Sequence, residues 1–163
     1  LKNQYVSNSI TTPVICDFNK RDTIQSLGCK INSYFLTTKN ITTISSLKNT
    51  TIDYLSGVSL FFDDKVLNKV GLFSESYFMY YEDVDWSIRA LNKGVKLRVN
   101  LNAKIFHDQK EYINFKLKIC YIINRLRLSF KFYKFKIPLV FLYSILSFLF
   151  NVFRYSLIIK NVK

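Results

Sequence analysis

The chain has 163 residues, 49% of them hydrophobic and 17% aromatic, and 24 lysines and arginines against 11 acids give a net charge of +13. That length and apolar content exclude a disordered chain and allow one domain with a real core. The three cysteines, Cys16, Cys29 and Cys120, are too far apart for a CxxC pair or a zinc knuckle, so they point to a reducing, cytosolic setting.

Charge is unevenly placed. Residues 1–108 carry 13 basic and 10 acidic side chains, whereas residues 109–163 carry 11 basic side chains and a single acid, Glu111. Two parts are therefore expected: an α/β part over 1–108 and a basic, apolar, helical tail over 109–163 that meets an anionic partner. The chain starts at Leu1 with no signal-peptide pattern, which gives the expectation of a start internal to a longer protein.

In chain order, Thr12–Cys16 reads as a strand, and Cys29–Phe35 follows Gly28 as a second β-rich run. Leu36–Thr51 is rich in Thr, Asn, Lys and Ser and reads as an irregular surface excursion. Asp53–Phe62 (DYLSGVSLFF) is the strongest strand pattern, interrupted by Gly57, a residue that often marks close approach of a backbone or ligand. Asp63 and Asp64 are expected to start a turn or cap a helix over Lys65–Val70 more readily than to bind metal. Val95–Val99 alternates as a half-exposed strand, and Ala103–Phe106 is a second short run ending at His107, the only histidine. A histidine at a strand end is more often structural than a ligand.

Between these lies Tyr77–Gly94 (YFMYYEDVDWSIRALNKG), where aromatic residues run into Glu82, Asp83 and Asp85. Val84, Ile88 and Leu91 fall at i, i+4 and i+7, so a helix with one buried face is expected from Asp83, with Gly94 as its stop. The acids then sit at a helix N-terminus. The plain reading is an acidic first turn with Asp85 paired to Arg89 at i+4.

Glu111–Lys136 reads as a helix bearing two basic stripes, Lys116, Arg127, Lys131 and Lys134 on one side, with Lys118, Arg125, Ser129 and Lys136 nearly opposite. Pro138 restarts a helix, and Ile137–Phe153 runs 17 residues without a charge. At about 25 Å this is short of a bilayer core of about 30 Å. Ser144, Ser147, Asn151 and Arg154 form a narrow polar stripe, which suits a helix lying in a membrane interface or packed on its own protein.

The segments SLGCKIN (Ser26–Asn32), DYLSGVSLFF (Asp53–Phe62), VGLFSESYFMYYEDVDWSIRALNKG (Val70–Gly94) and AKIFH (Ala103–His107) together resemble the second half of bacterial inverting family-2 glycosyltransferases, the rhamnosyltransferase-like group. Tyr121–Leu128 (YIINRLRL) is similar to the basic, aromatic helix that follows in that family. The resemblance implies a GT-A-like mixed sheet with helices, built from strands near residues 13, 58, 97 and 105, and then C-terminal helices. It implies Asp83 as general base on an acceptor hydroxyl. Gly57, Glu82, Asp85, Trp86 and Arg89 would bind acceptor or donor, with Arg89 also holding Asp85, and His107 would be a ligand of Mn or Mg on the donor diphosphate. Implied partners are a nucleotide-sugar donor and a glycan or lipid-linked acceptor at the cytoplasmic face of the plasma membrane; the basic stripes and apolar run of the tail, read by themselves, add an anionic membrane surface and argue against nucleic acid.

This chain departs from the family at Ser74, where an Asp is usual, and it has no counterpart of the nucleotide-binding half with its DxD. That donor half, with the main metal carboxylates, is expected upstream of Leu1. Two other readings stand beside transfer: a non-catalytic membrane-associated remnant, and a basic module that binds nucleic acid.

Overall fold

The computed structural model describes residues 6–109 and 115–161. Its elements run β1 (Ser9–Asp17), β2 (Ile24–Ser26), β3 (Cys29–Ile31), β4 (Thr38–Asn40), α1 (Ile44–Lys48), α2 (Asp64–Val70), α3 (Glu82–Asn92), β5 (Lys96–His107), α4 (Phe115–Phe132), a 3-10 turn at Lys134–Lys136, and α5 (Ile137–Asn161). The result is mixed α/β. A small mixed sheet has the order β2-β1-β5, with β1 antiparallel to β2 and parallel to β5, and β3 and β4 form a separate antiparallel pair.

β1 is the centre because it is apolar on both faces: Ile10, Val14, Ile15 and Cys16 are all buried. Pro13 lies in its middle and has no N–H to give the ladder. The register with β5 breaks there, Pro13 facing Asn100 and Val14 facing Lys104, so residues 101–103 bulge out. The two strands expected near 97 and 105 are thus one long strand that follows β1 along its whole length.

The strand expected over Asp53–Phe62 does not form. Its ends make isolated bridges to different partners, Tyr54 to Cys29 and Phe61 to Thr11, with a turn at Gly57 and Val58 between them. A continuous ladder is impossible when one end belongs to the β3 edge and the other to β1. The excursion expected over Leu36–Thr51 instead supplies β4, α1 and two core side chains, Leu36 and Ile41.

Asp63 caps α2, its carboxylate accepting from the Val66 N–H at 2.8 Å, as its position before a helix suggests. In α3, Val84 and Ile88 are buried as expected, but Leu91 is 40% exposed, and Trp86 and Ala90 fill the core instead. α3 is therefore buried on two sides. Trp86 and Ala90 meet Ile10, Leu55, Val66, Val70 and Val95, while Val84 and Ile88 meet Tyr54, Tyr77, Tyr81 and Leu128. Gly94, at φ 72°, ends the helix where a residue with a Cβ would be strained.

Leu128 belongs to α4, so the boundary at 108/109 marks a change of composition and not a break in packing. Residues 110–114, including Glu111, lie outside the described residues. Arg125 and Ser129 face inward, 2% and 0% exposed, which corrects the second basic stripe. The Arg125 guanidinium donates to Ser144 Oγ at 2.8 Å and lies over the Tyr143 ring, tying α4 to α5. The polar stripe on α5 thus starts against its own protein at Ser144, while the side chains of Asn151 and Arg154 lie outside those described. Among the described residues no helix is long and apolar enough to cross a membrane.

Candidate active site

The chain enters α3 through two consecutive left-handed residues, Tyr80 at φ 70° and Tyr81 at φ 72°. For side chains this large such a conformation costs about 1–3 kcal/mol each and persists only where surroundings hold it. The Tyr81 ring is buried and its hydroxyl donates to the Leu36 carbonyl at 2.9 Å. From α4, Asn124 Nδ2 donates to the carbonyls of Met79 at 2.8 Å and Tyr80 at 3.0 Å, and the Tyr121 ring stands edge-on to both tyrosines.

This turn sets Asp83 in the first turn of α3. Its Oδ2 accepts the Gly57 N–H at 2.9 Å and its Oδ1 accepts the Val84 N–H at 2.8 Å. Burial pushes the Asp83 carboxyl up to about 6, opposed by the Gly57 amide, aided by the neighbouring Glu82 charge, and opposed again by the Val84 amide. The group is ionised at neutral pH yet retains appreciable proton affinity, which is what a general base needs.

Asp83 lines a cleft of about 510 Å³ together with Gly57, Glu82 and His107, so four of the residues expected at the site converge there. Ser56, Thr38, Asn40, Gln25, Tyr54, Tyr80 and Tyr121 complete much of the wall. Glu82 Oε2 is buried and accepts no hydrogen bond among the described residues, leaving an acceptor beside Asp83 suited to a hydroxyl donor.

His107 ends β5 with Nδ1 3.1 Å from Gln25 Oε1. The Gln25 amide nitrogen is committed to two acceptors, Asp17 Oδ2 at 3.0 Å and the His107 carbonyl at 3.2 Å, so its oxygen faces the imidazole. An amide oxygen only accepts; Nδ1 therefore carries the hydrogen, and Nε2 is the basic nitrogen when the ring is neutral. Among the described residues no three His, Cys, Asp or Glu side chains converge as a metal site. One imidazole does not hold a divalent ion.

Asp85, Trp86 and Arg89 are not in the cleft, a correction with a simple cause. At 100° per residue, Asp85 lies about 200° around α3 from Asp83, so the two carboxylates cannot share a site. Asp85 is fully buried and bonded to Arg89 Nε at 2.7 Å, Lys131 Nζ at 2.6 Å and the Tyr77 hydroxyl at 3.2 Å. The Arg89 guanidinium also donates to the carbonyls of Val70 and Leu72. Trp86 is buried between Phe62 and Phe73, its indole N–H on the Gly71 carbonyl at 2.7 Å. All three brace the fold.

No protein-family model matches the chain, and no curated protein matches it significantly. The cleft itself contains residues that sequence reading passed over. Tyr54 and Tyr121 come from segments noted for other reasons, and Thr38, Asn40 and Gln25 lie in polar stretches with no distinguishing pattern. Tyr121 carried the one usable signal, its place in YIINRLRL. Its hydroxyl lies 2.5 Å from Thr38 Oγ1, joining α4 to β4 across the cleft.

Proposed function

We propose that this chain provides the acceptor and catalytic-base side of an inverting glycosyltransferase with a GT-A-like architecture, acting on a nucleotide-sugar such as a dTDP- or UDP-sugar and a glycan or lipid-linked acceptor. The observation that carries the reading is Asp83: a carboxylate fixed by two backbone amides at a helix N-terminus, raised toward neutrality, and facing a cleft. An acceptor hydroxyl donates to Asp83 while Glu82 Oε2 accepts from a neighbouring hydroxyl and orients the sugar. As the acceptor oxygen attacks the anomeric carbon, its proton passes to Asp83. The bond to the nucleoside diphosphate breaks on the opposite face, the diphosphate leaves with the electron pair, and the configuration inverts.

A divalent metal bound with the donor would neutralise the leaving diphosphate, and His107 could contribute one nitrogen to it. The described residues supply no further ligand set, and the proton transfer to Asp83 does not depend on one.

The test is a transfer assay on the complete gene product with a panel of nucleotide sugars and membrane-derived acceptors, reading nucleoside diphosphate release and the anomeric configuration of the product. Inversion by the wild type and loss of turnover in Asp83→Asn are expected. Retention of configuration, or wild-type turnover in that variant, rejects the assignment.

A further inference from the structure

α5 buries one narrow strip. Val140 and Ser144 face α4 at 0% and 2% exposure, and Ser144 is held by Arg125. Away from that strip Leu142, Leu146, Leu149 and Phe153, spaced by four, three and four residues, are all more than half exposed. Soluble monomers rarely expose large contiguous apolar patches, and such patches mark binding surfaces. The patch continues into an apolar groove of about 270 Å³ between the helices, lined from α4 by Ile119, Ile122 and Leu126 and from α5 by Phe141, Ile145 and Phe148. At the turn joining the helices Phe135 is fully exposed between Lys134 and Lys136.

We propose that the α4–α5 hairpin is an in-plane membrane-binding element whose partner is an anionic lipid surface, with the groove between the helices receiving acyl chain. This goes beyond sugar transfer and stands without it. Charge selects lipid over the other occupants. From residue 112 to the end the sequence has no acid, so a second copy on this face would bring two strongly basic segments together. Anionic headgroups instead attract the lysines at the turn while Phe135 and the leucines enter the acyl boundary. α5 is seated on α4 through Val140 and Ser144, so the hairpin offers lipid the exposed face of α5 and not its whole circumference. Its orientation is fixed by α4, which Asn124, Arg127 and Lys131 anchor to the turn before α3, to Ser76 and to Asp85.

The full chain, purified in mild detergent, is floated with phosphatidylcholine vesicles and with vesicles containing phosphatidylglycerol. Flotation with the anionic vesicles, reduced only in part by high salt, is expected. Leu142→Glu/Leu146→Glu/Leu149→Glu should abolish it with the helical circular dichroism retained. Phe135→Ser, at an exposed turn where folding is not at stake, should weaken binding, and Lys134→Ala should weaken it about fivefold. Wild-type protein that stays at the bottom of the gradient overturns the proposal, whether it is then found to be a dimer or to shift single-stranded DNA. Equal flotation of the Phe135→Ser and triple variants with the wild type overturns it as well.

Discussion

The amide of Gly57 donates to Asp83 Oδ2 at 2.9 Å, and a Cβ built on residue 57 would lie 3.4 Å from Asp83 Cβ, in ordinary contact. The turn at Gly57 and Val58 is therefore the lid on the first turn of α3, and it both desolvates the carboxylate and gives it a hydrogen bond. These effects oppose one another. Gly57→Ala keeps the N–H and should fold normally, whereas Gly57→Pro removes the donor and should raise the Asp83 carboxyl above about 6. Carboxyl carbon NMR titration of the two variants measures the difference.

Asp83 also gives stability a pH dependence of unusual sign. Its carboxyl rises from 3.8 to about 6 on folding, so between those values the folded chain holds more protons than the unfolded chain. Its contribution is present below about 4, falls as pH rises toward 6, and is flat above, a loss on the order of 3 kcal/mol. Asp83→Asn should remove this slope, while losing one of the two backbone N–H bonds because its amide nitrogen cannot accept. Urea unfolding of both proteins from pH 4 to pH 8 checks it; parallel curves reject the assignment.

Turnover should run the other way. A general base must be ionised, so transfer by the complete gene product should increase with pH through about 6 and then level. Asp83→Asn should lose about 100-fold or more, the usual scale for a general base. A rate independent of pH between 5 and 7 would place the base elsewhere.

Asp85 should behave as a structural acid. Asp85→Asn removes the buried counter-charge of Arg89 and Lys131, which are themselves partly exposed, and weakens three hydrogen bonds, so it should cost about 1–3 kcal/mol. Lys131 is 41% exposed, so Lys131→Met should cost about 1 kcal/mol or less. Denaturant midpoints measure both. Any Asp85→Asn protein that remains folded should keep the pH midpoint of the wild type.

Asn124 acts on the site through the turn. Asn124→Ala removes two hydrogen bonds, to the carbonyls of Met79 and Tyr80, at a cost of about 1–3 kcal/mol. The left-handed Tyr80–Tyr81 pair then loses a support, and the amides of Glu82 to Val84 should exchange faster with deuterium while those of β1 do not change. Uniformly faster exchange would mean a general loss of stability and not a positioning role.

Some of this was fixed by local geometry and could be read from the chain alone. The helical span of α3, its stop at Gly94, the Asp63 cap and the Asp85–Arg89 pair at i+4 all depend on residues within one or two turns of each other. Charge placement was legible as well, because composition does not depend on folding. Only the tertiary structure decided which acid faces the cleft and which is locked in the core, since that follows from what packs against each side of α3. It also decided that Asp53–Phe62 bridges two separate edges and forms no strand, that Leu36 and Ile41 leave a polar stretch to enter the core, and that Arg125 turns inward to Ser144. An apolar run records that a segment is buried; the partner it is buried against lies tens of residues away and leaves no local pattern.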